Sequence, residues 1–396
     1  MQPLKLLMLF CALLPTACSE GGKTKTSDVT LALELHGVGF GGNYQLRNWP
    51  LKASDINDDF FTIDMRKDGS YVVKRVGSKD SSPLPYFLDE DGAMGLRIST
   101  KRSPSQIVWR GSLAISNPGK EYFFLRRDQF PSFYCGMKKL GGEPALADSW
   151  WVFGSELHYG NKNKTPSHDT IGRAFAGELS FDSKLKVSSG SWTDSSSKTG
   201  LQVLAAGQAK SFEDGEVQLT LALTGGAATG PRSFSGAVGK HFGALVSRNT
   251  SEPSQSLMLM LRKHSAAWKL SDFAGEWHVA TQSIFNNPKQ NASKALSSAG
   301  LDAALGSMKI EADGDVQITV RGISGRRFRY LGKIKVAKNG AFELEVKGQP
   351  RRWRGAMDPE KKIILFSDNV TRASLQSLDW EVGTWMAVPV QVPTSK

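Results

Sequence analysis

The sequence contains only three cysteines in 396 residues, at positions 11, 18 and 135. Small exported domains that depend on disulfides carry an even set of cysteines, so this class of fold is excluded. Cys135 lies in the apolar, strand-like run Phe133–Met137, where we expect a thiol that is buried like a small hydrophobic side chain. Hydrophobic burial must therefore hold the fold, and the chain is long enough for two or three cores.

Long apolar runs are also missing. The run Leu6–Leu14 is shorter than the roughly 20 residues that a membrane-spanning helix needs, and no run of that length follows. We therefore expect no transmembrane helix. Lys5 precedes this run, and the small residues Thr16 and Ala17 follow it, which is the pattern of a signal peptide.

Motifs for catalysis and metal binding are absent as well. The six histidines, at positions 36, 158, 168, 241, 264 and 278, form no pair with the spacing of zinc ligands. No Gly-x-Ser-x-Gly nucleophile elbow occurs, although a Ser-His-Asp triad assembled from distant positions would leave no such motif. The sequence predicts a protein that is not an enzyme and that needs no cofactor or metal.

One glycine-rich segment matches a nucleotide-binding pattern. Gly37–Gly42 has the glycine spacing of dinucleotide-binding loops and follows an apolar strand at Val29–Leu35. In those loops a helix begins at once, and its N-terminal amides bind the pyrophosphate. Asn43–Pro50 has no helical period, so we expect a glycine-rich connection between strands instead.

The small residues that end at Cys18 resemble the lipobox of bacterial lipoproteins, with Pro15 at the place of the usual leucine. The resemblance implies that residues 1–17 are a removed signal peptide and that Cys18 carries the lipid. Ser19, rather than Asp, follows the cysteine, which in this family implies the outer membrane. The alternative is a periplasmic or secreted protein. Residues 18–27 are small and polar, as in a flexible tether.

Three landmarks recur in the same order along the chain, which predicts an internal repeat. Each copy has a strand, tight turn and strand, then a second turn and strand, then an aromatic-x-Gly step. The first landmark is centred near Gly69, in Leu179–Val187 and near Gly314; the second begins at Glu90, Glu213 and Lys338; the third is Trp109–Gly111, Phe234–Gly236 and Trp353–Gly355. Asp-Gly and Asn-Gly pairs favour hairpin turns, and apolar residues alternate on either side.

The predicted fold class is therefore mainly β. We expect three tandem antiparallel meander barrels or sandwiches, at residues 28–146, 147–266 and 267–390, with roughly six strands each and a loose tail at 391–396. One short helix is predicted at Ser293–Leu305, where alanine and leucine recur behind a serine-rich start. Ser188–Gly200 is predicted to be a polar loop.

The third unit contains Gly275-Glu-Trp277, which resembles the Gly-x-Trp that opens the first strand of lipocalins. The other two units have Ser149–Trp151 and Gly41–Asn43 near the equivalent place. The resemblance implies a β-barrel and, as a function, a carrier that holds an apolar ligand inside it.

The net charge of +12 comes from 50 basic and 38 acidic residues, and it is unevenly distributed. Positions 321–354 hold eleven basic and two acidic residues, a net charge of +9. Strand alternation places six basic side chains on outer faces of this unit: Arg327, Arg329, Lys333, Lys335, Arg352 and Arg354. They are the candidate site for anionic partners, either acidic polysaccharide or lipid headgroups. The alternative is a solvated sheet face that serves solubility.

Three functions follow as hypotheses. The first is a lipid-anchored binding or scaffolding protein of the cell envelope that docks anionic envelope material; nucleic acid is not expected, because no DNA- or RNA-binding motif is present. The second is the lipocalin-like carrier. The third is a hydrolase of envelope sugars. Ten tryptophans, among them Trp150 and Trp151, are candidates for stacking on sugar rings, whereas the repeated Trp109 and Trp353 occupy core-like positions.

Overall fold

The computed structural model describes most of the chain between residues 31 and 391. The described ranges are 31–41, 60–75, 79–100, 103–114, 121–128, 132–142, 144, 146–159, 170–194, 202–225, 230–249, 254–264, 267–286, 299–323, 325, 327–348, 352–368 and 380–391. The predicted signal peptide, Cys18, the tether at 18–27 and positions 392–396 of the tail lie outside these ranges. No helix in them is long and apolar enough to cross a membrane.

The chain folds into three closed antiparallel barrels of eight strands, in which each strand pairs with the next and the first pairs with the eighth. Barrel 1 comprises β1 Leu33–Gly41, β2 Phe60–Met65, β3 Ser70–Arg75, β4 Leu84–Leu88, β5 Ala93–Thr100, β6 Ser103–Ala114, β7 Tyr122–Arg127 and β8 Ser132–Lys138. Barrel 2 comprises β9 Ser149–Tyr159, β10 Thr170–Phe181, β11 Val187–Asp194, β12 Gln202–Ser211, β13 Glu216–Thr224, β14 Gly230–Val238, β15 Phe242–Asn249 and β16 Ser254–Arg262. Barrel 3 comprises β17 Gly275–Asn286, β18 Ala299–Ile310, β19 Asp315–Gly322, β20 Arg327–Val336, β21 Ala341–Val346, β22 Arg352–Met357, β23 Ile364–Ser367 and β24 Trp380–Pro389.

The mainly β fold class and its three antiparallel units are confirmed, with barrels rather than sandwiches and eight strands where about six were expected. The predicted helix is wrong. The part of Ser293–Leu305 that the structure describes belongs to β18, and the helical element that the structure describes is a 3-10 turn at Leu270–Asp272. Alanines and leucines recur in β18 because both of its faces are buried: Leu301 and Ala303 face the neighbouring barrels, while Ala304 lies in the interior.

Two further segments differ from expectation because they are strands without an alternating apolar pattern. The predicted polar loop contains most of β11, which pairs with β10 and β12; of its described side chains, only that of Trp192 is large and buried. Gly37–Gly41 lies inside β1 rather than in a connection. A Cβ atom at Gly37 would come within 2.7 Å of the Phe61 ring, so the glycine allows neighbouring rings to cover the strand.

The repeated landmarks have the same structural role in each barrel. The turn glycines Gly92, Gly215 and Gly340 have φ of 87°, 87° and 82°, the left-handed conformation that such hairpin turns require. The glycine of each aromatic-x-Gly step lies against the main chain of the next strand. At Gly236 an added Cβ would come 2.1 Å from the carbonyl oxygen of Ala244, and at Gly111 1.8 Å from that of Phe124.

Gly236→Ala is therefore expected to destabilise the protein by about 1–3 kcal/mol, because backbone atoms must shift to admit the methyl group. The free energy of unfolding from denaturant titration measures this change. Gly141→Ala is the matched control, since nothing lies within 4 Å of the Cβ position there. Equal effects of the two substitutions would contradict the role assigned to the repeated glycine.

The interior of each barrel is filled by large side chains. In barrel 3, Trp385 stacks on Trp353 and Phe366, with ring centroids 5.0 and 5.3 Å apart, and Trp353 is fully buried. Barrel 1 is filled in the same way by aromatic and aliphatic side chains around Tyr71. In barrel 2 a cavity of about 10 Å³, about enough for one water molecule, lies among the described interior residues.

The barrels pack on one another through a shared apolar core. This axial core takes side chains from several strands of each barrel, such as Val38 of β1, Phe242 of β15 and Met386 of β24. Cys135 lies in it, fully buried and free, as expected from the sequence, and burial raises the pKa of its thiol. The hydroxyl groups of Ser155 and Thr384 lie 2.6 Å apart in the same region, between barrels 2 and 3.

Histidines bridge all three junctions between barrels at the end where the tight turns lie. His36 Nε2 of barrel 1 donates to the main-chain carbonyl of Asp214 in barrel 2, at 3.0 Å. His278 Nε2 of barrel 3 donates to the carbonyl of Asp91 in barrel 1, also at 3.0 Å. His241 Nε2 of barrel 2 lies 3.1 Å from Oε1 of Glu360 in barrel 3. The docking of the barrels therefore depends in part on hydrogen bonds made by histidine side chains.

His36 makes stability depend on pH in a direction that follows from its burial. Desolvation lowers the pKa of His36 and outweighs the nearby carboxylate of Asp214, which raises it. The stability linked to neutral His36 is thus present above its unfolded pKa of 6.5 and is lost as the pH falls toward the lower pKa of the folded state. Asp358, whose pKa burial raises to about 6, works in the opposite direction.

Comparison with His36→Gln separates the pH effect of His36 from that of Asp358, because glutamine keeps an N–H donor that does not titrate. Over roughly pH 8 to pH 5 the stability of the wild type is expected to fall relative to that of His36→Gln. Thermal unfolding of both proteins across this range is the measurement. A constant difference between them would show that His36 does not couple protonation to folding.

Candidate functional site

The basic face predicted in the third unit exists on the outside of barrel 3. Along β20 the side chains alternate as expected, with Phe328, Tyr330 and Ile334 packed toward the interior. The outward row contains the four predicted residues and one apolar residue: Arg327, Arg329, Leu331, Lys333 and Lys335. Arg352 and Arg354 point outward on β22, on either side of the buried Trp353.

Four of these six basic residues lie in cross-strand rows of alternating charge. In one row Lys333 is opposite Asp315 on β19 and Glu345 on β21, and Glu345 is opposite Arg352. Lys333 Nζ is 3.6 Å from the Asp315 carboxylate. Opposite charges that face each other across strands stabilise a sheet, so this row acts as part of the sheet surface.

The second row has the order Lys335, Glu343 and Arg354 on β20, β21 and β22. Arg354 Nε lies 3.6 Å from the Glu343 carboxylate. Lys335 Nζ donates to Glu345 at 2.8 Å, and this bond lowers the pKa of that carboxyl group. These cations are neutralised locally, which favours the solvated-face interpretation for these four of the six predicted residues.

The rest of the face is an arginine end, formed by Arg321, Arg327 and Arg329, which have no acidic partner among the described residues. Arg321 on β19 is directly opposite Arg327 on β20, and Arg329 follows two residues later on the same outer face. Within the described residues none of the three forms an ion pair, and the guanidinium of Arg329 donates instead to the neutral Gln317 at 3.0 Å. Like charges placed opposite each other cost folding free energy, so this arrangement is not explained by sheet stability.

Barrel 1 contributes to the surroundings of the arginine end. Arg126 Nη1 donates to the main-chain carbonyl of Arg321 at 2.8 Å, and the carboxylate of Asp128 lies 3.4 Å from Arg126. Over β19–β22 the outer face carries seven basic and three acidic side chains, a net charge of +4. The charge is therefore smaller than the +9 of positions 321–354, and it is concentrated at Arg321, Arg327 and Arg329.

The arginine end lies opposite the point where the described chain begins. β1 starts at Leu33, beside the tight turn at Gly69, whereas Arg321 and Arg327 lie where β19 ends and β20 begins, at the other end of the barrels. The histidine bridges show that the tight-turn ends of the barrels lie together. Arg321 is therefore separated from the tight-turn end by roughly 20 Å, the length of β19 corrected for strand tilt.

Sequence reasoning identified Arg327 and Arg329 but did not single out Arg321 or Arg126. The signal for Arg321 was its place at the end of an alternating strand, just before the turn that leads to Arg327. No pattern in the sequence marked Arg126, because it lies on barrel 1, far in sequence from the other arginines.

Among the described residues, histidine, cysteine and acidic side chains form no group of three that could hold a metal ion.

Glu343→Lys tests the charged rows, because it places a third cation between Lys335 and Arg354. We expect a lower thermal unfolding midpoint, and the difference from the wild type should shrink at about 0.5 M salt through screening. Glu213→Lys, on an exposed turn of barrel 2, makes the same change of charge and is the control. A loss of stability that does not respond to salt would contradict the electrostatic explanation.

Comparisons with known proteins give structural similarity only. No protein-family model matches the chain, and no curated protein matches it in sequence. Similar solved structures include a variant of the vaccine antigen transferrin-binding protein B from Haemophilus parasuis Hp5, with 9% identity, a TM-score of 0.30 and coverage of 91% of this chain and 76% of that one. The isotype 1 transferrin-binding protein B from serogroup B Neisseria meningitidis has 8% identity, a TM-score of 0.27 and coverage of 90% and 76%. Similarities at this level carry no conclusion about what the present chain binds.

Proposed function

We propose that the chain is a lipid-anchored binding protein of the bacterial cell envelope whose arginine end captures anionic polysaccharide. In this proposal Cys18 carries the anchor at the outer membrane, as the lipobox-like sequence before it indicates. The barrels form a rigid support, and the chemistry is binding rather than catalysis.

The observation that carries the proposal is the group of Arg321, Arg327 and Arg329. Their strands lie in a closed sheet, so the three side chains start from fixed positions on one face. Arginine presents a planar set of donors that matches carboxylate, sulfate and phosphate groups. A partner that supplies such anions would relieve the repulsion between Arg321 and Arg327, which gives binding a source of free energy.

The position of the arginine end favours polysaccharide over the headgroups of the anchoring membrane. A lipid at Cys18 would hold the tight-turn end, where β1 begins, nearest the membrane. The arginine end would then point away from that surface, at a distance greater than the screening length of about 8 Å at physiological salt. A polymer that extends from the envelope can reach it there.

The two alternative functions receive less support from the described residues. A carrier of an apolar ligand needs an interior cavity, and aromatic packing fills the interior of barrel 3, where the lipocalin-like Trp277 lies. A sugar hydrolase needs, besides an accessible carboxylate, a carboxyl group with a raised pKa that can reach the substrate and protonate it. Asp358 has a raised pKa, but it is fully buried and accepts main-chain N–H groups of Lys362 and Ile363 at 2.6 Å.

The test is the triple charge reversal Arg321→Glu, Arg327→Glu and Arg329→Glu in the unlipidated chain 19–396. Wild type is expected to bind polygalacturonate, with affinity that falls at least about tenfold between low salt and 0.5 M salt. The triple variant is expected to lose this binding. Isothermal titration against polygalacturonate and neutral dextran measures both.

Lys184→Glu, Lys186→Glu and Lys210→Glu together form the matched control, because these exposed lysines of barrel 2 give the same change in net charge. The control variant should retain binding. Equal losses in both variants would assign binding to total charge rather than to the arginine end. Binding of phosphatidylglycerol vesicles in place of the polymer would overturn the choice of polysaccharide.

A further inference from the structure

The three barrels share one strand order, and this allows their junctions to be compared residue by residue. The eighth strand of each barrel is followed by a main-chain bond back to the first strand: Lys139 N to Glu34 O, Lys263 N to Ser149 O, and Val390 N to Glu276 O, at 2.8, 2.8 and 2.9 Å. The residue two positions after each acceptor is His36 in barrel 1, Trp151 in barrel 2 and His278 in barrel 3. These three residues therefore occupy equivalent positions in their barrels.

Two of these equivalent residues close a junction, and the third does not. His36 and His278 each donate to the carbonyl of the aspartate in the second landmark turn of the next barrel. By the same rule Trp151 of barrel 2 faces the turn that contains Asn339 in barrel 3. Trp151 makes no equivalent hydrogen bond to the described residues of barrel 3. Its ring lies instead beneath Lys263 Nζ, 4.1 Å from the ring centroid.

An open cleft lies at this third junction. It has a volume of about 440 Å³, within the range of small-molecule sites, and is lined by both barrels. The apolar side chains of the barrel 2 wall are Trp151, Phe153, Ala176 and Trp192. Ala337 and Ala341 lie opposite on barrel 3, on either side of the tight turn. His241 and Glu360 also join barrels 2 and 3, but the histidine-to-carbonyl bond of the other two junctions is missing where the cleft opens.

The polar lining carries both signs of charge in equal number. Lys335 and Arg354 come from barrel 3 together with Glu343, and Glu178 comes from barrel 2, with the hydroxyl groups of Ser191 and Thr193 beside it. Arg354 pairs with Glu343, and Glu178 pairs with Lys263, so the cleft is locally neutral. A charged ligand therefore gains no net attraction here, unlike at the arginine end.

A ligand that fits this cleft must offer an apolar face together with both hydrogen-bond donors and hydrogen-bond acceptors. A purely apolar ligand would remove water from four charged side chains without replacing its hydrogen bonds, which is costly. A pyranose ring has C–H faces that pack on an indole or phenyl ring, and its hydroxyl groups both donate and accept. Lysine and arginine donate to such hydroxyls, and carboxylates accept from them.

We propose that the cleft between barrels 2 and 3 binds a neutral saccharide of one or two rings, with Trp151 as the stacking residue. Glu343 and Arg354 hydrogen-bond the hydroxyl groups from the opposite wall. This site is separate from the arginine end and does not depend on the function proposed for it.

The test is saturation-transfer-difference NMR on chain 19–396 with four disaccharides at millimolar concentration: cellobiose, maltose, lactose and diacetylchitobiose. At least one of them is expected to show transfer concentrated on the C–H protons of one ring face. Trp151→Ala should weaken the affinity for this sugar about tenfold or more, because it removes the stacking surface. Ala341→Phe should abolish binding by filling the cleft.

Phe212→Ala is the matched control, since Phe212 is a partly exposed ring beneath Lys210 on the same barrel, away from the cleft. It should leave saccharide binding unchanged, and so should the triple arginine reversal. Circular dichroism melts confirm that each variant is folded. The proposal is overturned if no disaccharide gives transfer with wild type, or if transfer survives in both Trp151→Ala and Ala341→Phe.

Discussion

The structure depends on strands that are buried on both faces. In each barrel, the strands nearest the neighbouring barrels send one set of side chains into their own interior and the other set into the axial core. A barrel alone would expose the second set to water, at a cost of about 25 cal/mol for each Å² of apolar surface. Burial of Val38, Leu259 and Ile284 in one shared core therefore joins three small barrels into one folded unit.

Burial on both faces also explains the small residues at the junctions. Ala176, Ala280 and Ala303 occupy outward positions where barrels come close, and larger side chains would push the sheets apart. Polar groups in such places need partners, and Ser155 and Thr384 satisfy each other across a junction. At the tight-turn ends the same requirement is met by histidines that donate to main-chain carbonyls of the adjacent barrel.

The three copies of the repeated unit share a backbone frame and differ in their side chains. The shared frame places the same turns and the same strand ends at each junction, so a single difference in side chain changes the junction. Trp151 stands where two barrels have histidine, and a cleft opens there. On the outer face of barrel 3, acidic residues opposite Lys333 and Lys335 neutralise the charges of these lysines. Thr319 and Gln317 are neutral, so they offer no ion pair to the arginine end.

Local pattern in the sequence was enough for the class of fold. Asp-Gly and Asn-Gly turns, period-two alternation and the repeated aromatic-x-Gly step reflect interactions between neighbours in sequence, so they predict hairpins, three units and the outward row of β20. The same patterns fail where both strand faces are buried or where serine and glycine fill a strand, as in β18 and β11.

Only the tertiary structure decided which charges are neutralised and which junction is open. Whether Lys333 is free or paired depends on Asp315 and Glu345, which strand register brings alongside it. The meeting of Trp151 with Ala341 depends on how two closed barrels pack, across a large separation in sequence. Composition and charge along the chain predict a basic β protein; register and packing determine where a partner can bind, because both are set by contacts between distant residues.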